Sequence, residues 1–162
     1  MMHRGLATLS GALMLCFLLL TGFEPQFFVL HFYQSLIYLV IILMLFYFED
    51  HLAYALGIMT SAVWLLLHVG TGLLASTFRQ VPGELSRLFS GLTPNNGVAV
   101  ITVVIALLSV AMIFFNWARW KREFMGAKKE SPVFLGSFIV VAVYYGVLIY
   151  WFWHLIPQSS GT

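Results

Sequence analysis

Apolar and polar positions alternate along this chain on a coarse scale, with five long apolar runs separated by short polar breaks. The runs cover about residues 6–22, 27–48, 52–74, 97–117 and 133–156. Crossing roughly 30 Å of hydrocarbon takes about 20 mostly apolar residues at 1.5 Å per residue. The breaks are Glu24-Pro25, Glu49-Asp50, Pro94-Asn95-Asn96-Gly97 and Ser131-Pro132, residue types that stop or start helices. No Asp, Glu, Lys or Arg falls inside a run. In lipid, every backbone N–H and C=O must be satisfied internally, so unbroken runs of this length predict helices. The expected fold is all-α: one transmembrane domain over residues 1–162, an integral membrane bundle of about five transmembrane helices. The first run also resembles a secretory signal. No clean pair of small residues follows its apolar core, so the reading adopted is a retained span.

Within the runs, finer patterns show which faces meet protein. Water supplies no drive between membrane helices, so small residues and hydrogen-bonding groups mark the contacts. In the third run Ala53, Gly57 and Ser61 recur every four residues, and Trp64, His68 and Gly72 continue the stripe. The second run carries His31, Gln34, Ser35 and Tyr38 at i, i+3, i+4 and i+7, and the fourth carries Thr102, Ser109 and Asn116 seven apart. Polar seams facing lipid are costly, so these should face inward. Gln34, Ser35, Tyr38, Ser61 and Trp64 are therefore expected to form a polar packing or pocket face. Between the third and fourth runs, Leu85, Leu88, Phe89 and Leu92 repeat at helical spacing, with Pro82 before them and Gly91 near their end. They predict a short interfacial amphipathic helix over about 83–90.

Composition agrees with a lipid-embedded chain. Of its 162 residues 61% are apolar and 9% charged, and the mean hydropathy is +0.95. Soluble domains carry about 25% charged residues. A net charge of +2 is too small to imply nucleic acid as a partner. Cys16 is the only cysteine, which excludes an internal disulfide and a cysteine-based metal site. Arg4, Arg119, Lys121, Arg122, Lys128 and Lys129 fall on one side of a five-span chain, and Arg79 and Arg87 on the other. The positive-inside rule then places the N-terminus in the cytoplasm and the C-terminus outside a plasma (inner) membrane. Trp117 and Trp120 fit the inner interface, Trp151 and Trp153 the outer one.

The candidate chemistry lies in the histidines. His31 precedes Asp50 by 19 residues and His68 follows it by 18, so an antiparallel hairpin brings them to nearly one height, within roughly 3 Å. His154 ends the fifth run on the same side, and Glu24 lies in the first outer turn. Imidazoles and a carboxylate at one level are a composition used by metal sites, and two facing histidines can ligate haem. His31, His68 and His154 are the candidate metal or haem ligands, with haem or a divalent metal as the candidate group, but a hydrogen-bonding role for these histidines is the favoured reading and no cofactor is assigned. Glu49 and Asp50 are candidates to cap the third helix. The chain contains no HExxH, no GxSxG and no phosphate-binding glycine loop, and no catalytic residue is assigned. Beyond the lipid bilayer, the expected partner is another membrane protein or a second copy of the chain. The first functional reading is a non-enzymatic accessory or partner-binding subunit. The alternative is a haem- or metal-binding electron-transfer or sensing protein using His31 and His68. A third is an oligomeric channel or lipid-handling protein.

Overall fold

The computed structural model describes residues 4–47, 50–93, 96–123 and 130–152. They form six α-helices and no strand: α1 (Arg4–Phe23), α2 (Phe28–Tyr47), α3 (Asp50–Gly70), α4 (Leu73–Phe89), α5 (Gly97–Glu123) and α6 (Glu130–Phe152). A single 3-10 turn, Pro25–Phe27, joins α1 to α2, with Pro25 at its first position where a missing N–H costs nothing. The fold is an all-α bundle. Five helices, all except α4, are long and apolar enough to cross a membrane.

The packing follows from stripes spaced three and four apart. In α1, Leu6, Ser10, Leu13, Phe17 and Leu20 are buried, and in α6 Ser137, Val141, Tyr145 and Leu148. Such stripes suit shallow helix crossings. α1 packs between α2 and α5, and α3 closes the ring against α2 and α5. α6 lies outside that ring, mainly on α3. α3 is accordingly the most embedded helix, and Ala53, Gly57, Ser61 and Trp64 of its small-residue stripe are all buried. Tyr33 and Tyr144 fasten α6 to α2. Their rings stack with centroids 4.4 Å apart, and each hydroxyl donates to the other residue's backbone carbonyl.

Three boundaries differ from the sequence expectation. α3 stops at Gly70, because Gly72 takes a left-handed conformation with φ +71°. Gly72 thus leaves the stripe, and Leu73-Leu74 belong to the next helix. The amphipathic helix starts at Leu73 rather than after Pro82, so Pro82 lies inside it. The apolar spacing of Leu74, Val81 and Leu85 carries the helix through the proline, and Val81 is buried. Gly91, with φ +74°, ends it as expected. Lastly, α5 continues past Trp117 to Glu123. Its 27 residues span about 40 Å. The extra turns carry Arg119 and Lys121 over the rings of Phe115 and Trp117, each 5.5 Å from the centroid. Trp120 is buried against Phe134. At the other end of α5, the Asn96 side chain accepts from the Ala99 N–H at 3.1 Å, an N-cap. Glu49, Trp153 and His154 lie outside the described residues, as does the side chain of Asp50.

Candidate functional site

The polar seams converge at the end of the bundle where α2 begins and α3 finishes. A cavity of about 300 Å³ opens there, with α4 across it. Phe17 and Leu20 come from α1, His31 and Gln34 from α2, Trp64, Leu67 and His68 from α3, and Val98 and Thr102 from α5. Leu148 and Ile149 of α6 complete one wall, and Leu73 and Thr77 of α4 another. Glu24 and Phe27 enter from the turn between α1 and α2. His31 and His68 do line one cavity, as the equal heights implied.

Each histidine is held by one specific bond. His31 Nε2 donates a partly buried hydrogen bond to Glu24 Oε2 at 3.0 Å, and its Nδ1 is buried without a partner. The His68 ring stacks on Trp64, with centroids 3.9 Å apart. His68 Nδ1 donates to the Trp64 carbonyl at 3.0 Å. A carbonyl only accepts, so this bond fixes the proton on Nδ1 and leaves Nε2 as an acceptor in the neutral ring.

Phe17 forms the cavity floor, stacked on Tyr38 at 5.7 Å and edge-on to Trp64 at 6.1 Å. Beneath it the hydroxyls of Tyr38, Ser61 and Ser109 cluster, all fully buried and none in full hydrogen-bond geometry. Of the expected polar face, Gln34 and Trp64 thus line the cavity, whereas Tyr38 and Ser61 lie under its floor. Ser35 is buried and donates to the Phe32 carbonyl of its own helix at 2.7 Å. No base is bonded to it, so the residue has no nucleophilic partner there.

The metal and haem reading finds no support in this arrangement. Among the described residues, no three His, Cys, Asp or Glu side chains gather where they could hold a metal ion. His154, the third candidate ligand, lies outside those residues. A two-histidine haem site needs two free nitrogens aimed at one iron. Here His31 Nε2 is engaged by Glu24 and its Nδ1 is buried. The aromatic floor and the two threonines Thr71 and Thr77 were not anticipated. Phe17 belongs to the regular stripe of α1 and was legible on that ground. The threonines reach the cavity only because α3 ends early and α4 turns back.

No family model, no curated protein and no solved structure matches this chain.

Proposed function

We propose that the chain is a non-enzymatic subunit of a membrane assembly, binding a protein partner or a second copy of itself through α6. The observation that carries this reading is the uneven seating of α6. Only 22% of its span is buried, against 50% of α3. Ala142 and Gly146, four residues apart, lie on its outer surface, and a Cβ placed on Gly146 would meet nothing within 4 Å. Small residues at that spacing allow close backbone approach, which is where van der Waals packing between membrane helices is gained. The polar side chains inside the bundle add support, since Ser35 and His68 bond back to their own helices and His31 to the turn before α2, so each is already held in a structural bond. The cation distribution favours a plasma-membrane protein with a cytoplasmic N-terminus and an external C-terminus.

The test is extraction of the tagged chain in a mild detergent. A partner or a second copy should co-purify. Gly146→Leu should strip it away while the variant remains monodisperse and melts within a few degrees of the parent. A lone monomer from native membranes, or a complex indifferent to Gly146→Leu, would overturn the reading.

A further inference from the structure

The cavity has a chemical bias that partner binding through α6 does not use. Among the described residues, Glu24 is the one carboxylate on its wall, and neither lysine nor arginine lines it. Glu24 Oε2 already accepts from His31 Nε2 at 3.0 Å, which leaves Oε1 for a ligand, and the Trp64 indole N–H is buried away from the opening. Several of the other polar groups present lone pairs. His68 spends its Nδ1 proton on the Trp64 carbonyl, so Nε2 accepts. Thr71 donates its hydroxyl to the Leu67 carbonyl and Thr77 to the Leu73 carbonyl, both at 2.8 Å. Both threonines line the cavity, and with its proton spent each hydroxyl oxygen keeps lone pairs as an acceptor. Gln34 contributes one amide, which can turn either way. An acceptor-rich wall inside an apolar bundle is complemented by a ligand that brings donors and positive charge, because such bonds strengthen where water is scarce. The remaining wall, including Leu20, Phe27, Leu30 and Leu148, asks for an apolar body. A volume of about 300 Å³ is at the small end of ligand sites, room for a fused ring with a short arm.

We propose that this cavity binds an amphipathic amine in its protonated form, with Glu24 as counter-ion and His68, Thr71 and Thr77 as hydrogen-bond acceptors. The ammonium sits among the oxygens and the His68 nitrogen beneath α4, and the apolar body lies against the Phe17 floor. Anionic headgroups are disfavoured, since no fixed cation lines the wall. The cavity meets α6 only at Leu148 and Ile149, beyond the Ala142 and Gly146 pair, and probe binding and partner binding are read by separate assays, so either can fail without the other.

Three probes sharing one ring system test it: naphthylethylammonium, its neutral N-acetyl amide, and the anion naphthylacetate. Binding to the detergent-solubilised full chain is read by equilibrium dialysis, with protein-free micelles as baseline. The ammonium should saturate at one per chain, and the amide and the anion should bind at least about tenfold more weakly, a difference of about 1.4 kcal/mol. Glu24→Gln should weaken the ammonium by a similar factor and leave the amide unchanged, whereas Glu24→Asp retains part of the preference. An amide or an anion held as tightly as the ammonium would overturn the proposal, as would saturable ammonium binding untouched by Glu24→Gln. If Glu24→Gln fails to fold, the ranking of the three probes on the parent chain decides alone.

Discussion

Gly57 shows how far a single position constrains this bundle. A Cβ there would stand 2.8 Å from Asn116 Nδ2, 3.1 Å from Met112 Cε and 3.3 Å from Leu6 Cδ1. α3 can lie this close to α5 and α1 only while the position carries no side chain. Gly57→Leu should destabilise the fold by roughly 3 kcal/mol, the upper range for overpacking. Reversible unfolding in mixed micelles measures this, with Gly146→Leu, which meets open space, as the near-neutral control. A Gly57→Leu bundle as stable as the control would show that the helices slide apart at little cost. Gly57 was legible because small residues recurred every four positions, and the levelling of His31 and His68 followed from counting residues to a turn. The Tyr33–Tyr144 clamp was not. Its partners are 111 residues apart, and nothing local to either tyrosine signals the other.

At the scale of elements, the apolar runs were readable because lipid leaves the backbone no alternative to the helix. The exception is α4, where two breakers competed. Pro82 has no N–H and starts helices well, so the sequence favoured a beginning there, while Gly72 looked like part of the preceding stripe. Only the left-handed backbone at Gly72 shows that the chain turns at that point, and no hydrophobic period encodes a φ angle. The consequence is a helix that runs through a proline. Position 82 cannot donate to the Phe78 carbonyl, which weakens the α4 turn next to Thr77 and the cavity. Pro82→Ala restores a donor and removes the ring clash, an interior penalty of about 3 kcal/mol. Amides of residues 74–81 should then exchange with deuterium roughly ten times more slowly or better, while those of α1 and α2 are unchanged. Equal exchange in both proteins would mean that the proline already sits in a relaxed kink and that its neighbours set the mobility of α4.

For the whole molecule, the decisive property is the direction of each helix. α1 and α5 run antiparallel, since Gly5 meets Phe115 at one end and Gly97 meets Phe23 at the other. α3 opposes α5 in the same way, with Gly57 against Met112 and Asn116 and, further along, Trp64 and His68 around the same cavity as Thr102 and Val98. These directions put the turn holding Gln26, the end of α3 and the start of α5 on one face of the bundle, with Ser90 in the stretch that joins the last two, and Lys121 on the opposite face. Gln26, Ser90 and Lys121 are all exposed. Membrane-impermeant maleimide can read that arrangement, since Cys16 is the sole native thiol and Cys16→Ala gives a clean background. In intact spheroplasts, cysteine at 26 or at 90 should label at once, and cysteine at 121 only after permeabilisation. The reverse pattern would keep the five-span fold and invert it in the membrane, against the excess of cations around Lys121. Labelling of 26 and 121 from the same side is incompatible with α5 as a span, and with it would go the seat of Thr102 in the cavity wall. The cavity depends on helix direction as much as on residue identity. It exists only where the beginning of α2, the end of α3 and the beginning of α5 reach one face together.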